Sequence, residues 1–166
     1  MVLIALGLVV LIAAWLVGRT TGVPVGTRVV ASDVGFEEPA VLEDPKLRIR
    51  GRPDYLLRDP ASGRFYPVEV KPSRTSRTLQ ESDALQVGVY MLLTAAHYGS
   101  AFAGYGVVRY RAAEFRVPFT PELREHCIAA ARAVRVARLA RTVHRNHTVR
   151  AKCGRCGVRA RCDESL

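Results

Sequence analysis

The chain has 166 residues, 49% of them hydrophobic, and a formal net charge of +10, which suits one compact domain plus an appendage. Arg makes up 22 of the 25 basic residues. Its guanidinium fork grips phosphate oxygens, so nucleic acid is the first candidate partner, although an Arg-rich genome and a membrane-proximal body suit the same bias. Four cysteines, three of them within Cys153–Cys162, do not read as a disulfide framework and fit a reducing compartment with a metal or cluster site better.

The run from Val2 to Val17 is uncharged and contains Trp15. At about 1.5 Å per residue it approaches the length of a bilayer-crossing helix. No basic residue precedes it, and Val17-Gly18-Arg19-Thr20 is a poor processing site, which argues against a cleaved signal. Residues 1–18 therefore read as an uncleaved anchor helix. Arg19 and Arg28 follow it, and the positive-inside tendency then places the body in the cytoplasm of a single-pass protein. The competing reading is a core helix of the domain itself. Residues 19–40 read as a linker, with a short strand near residues 27–31. A core over residues 41–150 and a cysteine-containing tail over 151–166 complete the division.

Residues 47–57 predict a strand. Asp59-Pro60-Ala61-Ser62-Gly63 is hairpin punctuation, and residues 64–71 are the partner strand. A Ser/Thr/Arg-rich loop follows, whose Arg74 and Arg77 either meet a substrate phosphate or stay solvated. Residues 79–98 read as a helix, with Leu85, Val89, Leu92, Leu93 and Ala96 at helical spacing. Residues 100–110 and 113–119 read as strands. Thr120-Pro121-Glu122 supplies an N-cap, a first-position Pro and a first-turn acid. It opens a helix to about His144, with Leu123, Cys127, Ala130, Val134, Ala137 and Leu139 as candidate core. Arg132, Arg135, Arg138, Arg141 and Arg145 recur along it, as a nucleic-acid-facing stripe or simply the wet side. Strands, helix, strands, helix predict an α/β fold with a mixed sheet.

Asp54 closes one apolar run, and Glu69 and Lys71 sit two apart in the next. Side chains at i and i+2 of a strand share a face, so Glu69 and Lys71 point together while Val68 and Val70 pack behind. Two carboxylates on adjacent strands can hold Mg²⁺ or Mn²⁺. A neighbouring lysine can orient water or offset phosphate charge. Taken alone, Glu-x-Lys also suits a solvent-facing pair of little consequence. The apolar flanks argue for a partly buried strand, where unpaired charge is costly. Gln86 and Tyr90 lie one helical turn apart on one face.

Asp54 and Glu69-x-Lys71, with Pro53-Asp54 as the opening dipeptide, resemble the PD-(D/E)XK nuclease signature. Gln86-x-x-x-Tyr90 resembles the additional motif of the RecB-like branch. Cys153-x-x-Cys156-x5-Cys162 resembles the C-terminal cysteines of the CRISPR-associated exonuclease family within that branch. The resemblance spans roughly residues 41–162. It implies a restriction-endonuclease-like core, with a central mixed sheet flanked by helices, and a metal-dependent exonuclease acting on DNA. Asp54, Glu69 and the carbonyl of Val70 are implied as metal ligands. Lys71 is implied to position water or stabilise the transition state, and Gln86 and Tyr90 to support the site or touch DNA. The first acidic or His position has only Glu37, Glu38 and Glu43 as candidates.

In the family that the tail resembles, three such cysteines join one far upstream to bind a [4Fe–4S] cluster. This chain has no cysteine before Cys127. From the residues alone, three thiolates with His147, His144 or Cys127 also make a tetrahedral Zn²⁺ set. Two functions follow for the whole chain. The leading one is a membrane-anchored DNA nuclease. The other is a degenerate nuclease fold kept as a nucleic-acid-binding or assembly module, with protein partners that the sequence does not name.

Overall fold

The structure, a computed structural model, describes residues 28–32 and 41–166. The expected anchor helix over residues 1–18 lies outside the described residues, as do Glu37 and Glu38. Among the described residues no helix is long and apolar enough to cross a membrane.

The elements run β1 (Arg28–Ser32), β2 (Leu42–Asp44), β3 (Ile49–Gly51), β4 (Tyr55–Arg58), β5 (Phe65–Lys71), α1 (Glu81–Tyr98), β6 (Tyr105–Tyr110), β7 (Glu114–Pro118), α2 (Pro121–Leu139) and the one-turn α3 (Arg150–Gly154). Five strands form one mixed sheet in the order β1-β4-β5-β6-β7, and β2-β3 form a separate pair. Among the described strands only β5 and β6 pair in parallel. Their connection carries α1, as a parallel crossover requires. The α/β fold with a mixed sheet and flanking helices is as the sequence predicts. Strand β1 is an edge of this sheet, inside the stretch read as linker.

The strand expected over residues 47–57 is in fact two. Ile49–Gly51 pairs with β2, while Tyr55–Arg58 enters the main sheet between β1 and β5. Pro53 separates them, since it lacks an N–H and breaks a ladder. The turn before β3 is built on Asp44, whose Oδ1 accepts the Leu47 N–H at 3.0 Å. Asp44-Pro45 is a turn-initiating pair. The Asp59–Gly63 turn forms as expected: Gly63 takes φ 68°, and Asp59 Oδ1 accepts the N–H groups of Ala61 and Ser62.

Alternation along β5 and β6 divides the core. Tyr66 and Val68 join Tyr55, Leu57 and Val107 on one face, with Val70 against them. On the other face Val87 and Met91 of α1 pack with Val108, Tyr110 and Val117. The sheet approaches α1 closely at Gly106, where a Cβ would lie 2.7 Å from Val87. A third cluster joins Leu92 of α1 to Cys127 and Ile128 of α2. Of the expected helix core, Ala96 is exposed and Thr94 is buried instead.

The chain divides into two compact units at Ala131/Arg132, within α2. Before the division Cys127 is fully buried. Beyond it Val134 and Leu139 are exposed, 59% and 88%, so the expected core stripe stops there. The helix ends at Leu139, short of His144.

Candidate functional site

Strand β4 pairs with β5 through Tyr55↔Val68. Continuing that register sets Asp54 opposite Glu69, and directly opposed residues share a face about 5 Å apart at Cβ. Because β4 stops here, the ladder leaves the Val70 N–H without a strand acceptor. Asp54 Oδ2 accepts it instead, at 2.6 Å. Glu69 is 4% exposed. Its Oε1 accepts from Lys71 Nζ at 2.5 Å and from Gln86 Nε2 at 2.7 Å.

The Gln86 amide is held in one orientation. Its Oε1 accepts from Lys71 Nζ at 2.9 Å, and its Nε2 donates to both Glu69 and, at 3.2 Å, the Tyr90 hydroxyl oxygen. An amide flipped about its axis would aim N–H groups at an ammonium. Helix α1 thus delivers Gln86 and Tyr90, one turn apart, onto the face of β5 that carries Glu69 and Lys71. Of the five residues singled out in the sequence, Glu69, Lys71, Gln86 and Tyr90 form one linked group, and Asp54 lies beside it, bonded to the Val70 N–H.

Burial pushes the Glu69 carboxyl up; the Lys71 bond opposes this in part, and the Asp54 charge adds to the rise. Burial works against the Lys71 ammonium, but the bond to Glu69 and the charges of Glu69, Asp83 and Asp54 outweigh it, so its pKa is raised. Burial also pushes the Tyr90 hydroxyl up. Lys71 therefore stays an ammonium. Its bonds to Glu69 and Gln86 engage two acceptors, and an ammonium has three donors. Asp54 Oδ1 and Glu69 Oε2 take no part in these bonds. Two carboxylates with an oxygen each to spare are the donor chemistry of a hard divalent cation.

Sequence reasoning missed one member of this neighbourhood. Asp83, in the first turn of α1, is 3% exposed; it accepts from the Tyr110 hydroxyl and pairs with Arg74. Its one signal was helical spacing, three residues before Gln86. Glu43, a candidate for the first acidic position, is exposed on β2 and pairs with Arg50 at 3.6 Å.

A model of the PD-(D/E)XK nuclease superfamily matches residues 6–163. The chain belongs to this superfamily. Its members are generally nucleases and typically use Mg²⁺ or Mn²⁺. The fold is similar to the crystal structure of SSO0001, with a TM-score of 0.52 and 18% identity. The match covers 84% of this chain and 58% of that one, so this chain spans less than two thirds of that structure. No curated protein matches the chain.

The second unit, residues 132–166, holds the three tail cysteines. Cys153 is buried, Cys162 half-buried and Cys156 exposed, and all are free thiols. They line a cavity of about 420 Å³ together with His144 and His147. His144 Nδ1 and the Arg145 N–H are tied to Glu164. His147 Nδ1 is buried with no hydrogen-bond partner among the described residues. Among the described residues no three His, Cys, Asp or Glu side chains are gathered closely enough to hold a metal ion. Cys127, the remaining cysteine, is core. It packs against Gly88, its Sγ lies 3.6 Å from the Leu85 carbonyl, and burial pushes its thiol up to about 11.

Proposed function

We propose that the chain is a nuclease of the RecB-like branch, hydrolysing phosphodiester bonds of DNA with Mg²⁺ or Mn²⁺, and doing so exonucleolytically. The observation that carries this reading is the Gln86 amide holding Glu69 and Lys71 together beside Asp54, with an oxygen of each carboxylate to spare. Asp54, Glu69 and the carbonyl of Val70 would hold the cation. When bound, such a cation polarises the phosphate and lowers the pKa of water.

The chain's own residues do the rest. Gln86 and Lys71 fix the Glu69 carboxylate in one rotamer, which keeps its second oxygen aimed at the site. Lys71 offers its remaining donor to a phosphate oxygen or to the attacking water, and its charge offsets the negative charge that develops there. Gln86 donates to the Tyr90 oxygen, so the Tyr90 O–H is left to donate toward substrate. The apolar face behind Val68 and Val70 keeps the strand in place.

Incubating the 166-residue chain with end-labelled single- and double-stranded DNA, linear and circular, in each metal tests this. Cleavage of linear DNA that Glu69→Ala or Lys71→Ala abolishes is expected. Pure folded protein that cuts nothing in either metal would favour the binding or assembly module instead.

Two further parts belong to the same reading. Residues 1–18 hold the protein in the membrane with the body in the cytoplasm, supported by the charge-free run and the arginines after it; release of the protein by a carbonate wash would refute this. The tail binds Zn²⁺ through Cys153, Cys156, Cys162 and His147. A [4Fe–4S] cluster held by four cysteines fits less well, because Cys127 is committed to the core. The donor chemistry and the partnerless His147 Nδ1 support zinc.

A further inference from the structure

Arg74 anchors the loop between β5 and α1. Its N–H donates to the Lys71 carbonyl and its carbonyl accepts the Arg111 N–H. Its guanidinium turns one edge to Asp83, with Nε 2.7 Å from Oδ2 and Nη2 3.3 Å from Oδ1. The Tyr110 hydroxyl donates to the same carboxylate and accepts the Gln80 N–H at 3.0 Å. Asp83 is 3% exposed, so leaving it without these partners would be costly. Arg74 itself keeps 42% of its side chain exposed. Two of its three guanidinium nitrogens face Asp83, which leaves Nη1 for something else.

We propose that Arg74 is a substrate-binding residue that grips a phosphate of the nucleic-acid strand next to the one cut, and that Asp83 and Tyr110 are positioning residues that aim its free Nη1. This rests on the nuclease reading above. Arg74 follows Lys71 by three residues, joined to it by a backbone hydrogen bond, and Asp83 lies one turn before Gln86. The grip is therefore built from the same strand end and helix as the Glu69 group. Charge also favours it. Asp54, Glu69 and Asp83 set three negative charges against the two of Lys71 and Arg74. With a divalent cation bound, the neighbourhood reaches +1 and accepts a phosphodiester. Without Arg74 it would be neutral. A side-on pair with a carboxylate stops the long Arg side chain from sampling other rotamers, which reduces the entropy lost when a phosphate docks.

The test is affinity for a fluorescein-labelled single-stranded DNA oligonucleotide, read by anisotropy against salt in Ca²⁺, with the full chain. Arg74→Gln is expected to weaken binding about tenfold and to reduce the salt slope by about one phosphate contact, uniformly across sequences. Arg74→Lys keeps a charge for Asp83 but has no second edge, and a loss of about fivefold is expected. Asp83→Asn should weaken binding as well, and should add nothing on top of Arg74→Gln. In Mg²⁺ the Arg74 variants should raise KM and change kcat by less than about twofold. Wild-type affinity and slope in folded Arg74→Gln, or wild-type affinity in Arg74→Lys, would overturn the proposal. So would a wild-type chain with no affinity for the oligonucleotide. Arg74-dependent binding without any cleavage would uphold it while sinking the nuclease reading, and cleavage with Arg74→Gln at wild-type affinity would do the reverse.

Discussion

Asp54 accepts the backbone N–H of Val70 at 2.6 Å, so the carboxylate just before β4 supplies to β5 the acceptor that β4 no longer offers. The bond fixes Asp54 Oδ2 and leaves Oδ1 toward the site. Structure and chemistry can therefore be separated at this residue. Asp54→Asn keeps an acceptor for Val70 but loses the charge. Its melting temperature should stay near wild type while cleavage falls about 100-fold or more, because a cation's contribution to the transition state is several kcal/mol. Asp54→Ala should also lose about 1–3 kcal/mol of stability, the cost of an unpartnered buried N–H. Equal stability of the two variants would show that the Val70 bond contributes nothing.

Gln86 has three contacts at the site and Tyr90 one. Gln86→Ala leaves buried Glu69 with Lys71 as its remaining partner. Losses of about 10–100-fold in kcat and about 1–3 kcal/mol in stability are expected. Tyr90→Phe keeps the ring that Gly51 faces. Its stability should change by less than about 1 kcal/mol, since Gln86 Nε2 still bonds Glu69 and a neutral hydrogen bond contributes about that much. A kcat deficit in Tyr90→Phe at unchanged stability would show the hydroxyl acting on substrate.

The site was legible because its parts are local. Glu69 and Lys71 are set by strand parity, and Gln86 and Tyr90 by the helical turn. Asp54 is placed by a short hairpin that Asp59-Pro60-Ala61-Ser62-Gly63 announces. Asp83 was not legible, since its burial depends on Tyr110 from β6, 27 residues away. No local pattern marks such a pairing. Pro53 carries the split of residues 47–57, while the apolar residues on both sides of it read as one continuous strand. On α2 the apolar period continues past Ala131 while burial does not, because periodicity reports a face and says nothing of what covers it.

Gly88 and Cys127 set how closely α1 and α2 approach. A Cβ at Gly88 would lie 2.4 Å from Cys127 Sγ, in a fully buried setting. Gly88→Ala should cost about 1–3 kcal/mol through overpacking. Adding Cys127→Ala removes the sulfur and should recover part of that loss. The two changes should be non-additive by about 0.5 kcal/mol or more. Additive destabilisation in denaturant titrations would show that the contact is not what Gly88 serves.

Asp59 ties the β4–β5 turn to β6. The Ser62 N–H, then the Tyr105 O–H at 2.8 Å and the Ala61 N–H, hold its carboxyl below its ordinary value of 3.8. A depressed folded pKa favours the native state above the unfolded pKa, and that contribution is lost as pH falls through the folded value. Stability from this group should therefore be intact at neutral pH and decline below about pH 4. Asp59→Asn should remove this part of the acid dependence. An unchanged slope of stability against pH between pH 5 and pH 2 in that variant would refute the assignment.

The tail offers the sharpest division between readings. Cys153, Cys156, Cys162 and His147 line one cavity, and His147 Nδ1 is buried without a partner among the described residues. The described arrangement does not bring three of these groups to a metal, so binding requires them to draw together. Metal binding of that kind releases thiol protons and adds its free energy to folding. Anaerobically purified chain should be colourless and carry one zinc. Cys156→Ser and His147→Ala should each lose it and melt lower, while Cys127→Ala keeps it. Iron, sulfide and a brown colour would replace zinc with a cluster, and then His147→Ala and Cys127→Ala would ask which group completes it. Metal-free protein whose melting ignores Cys156→Ser would sink metal binding by the tail. Cleavage at Glu69 should survive these changes in any variant that stays folded, because the cysteines and the Asp54, Glu69 and Lys71 group belong to different compact units.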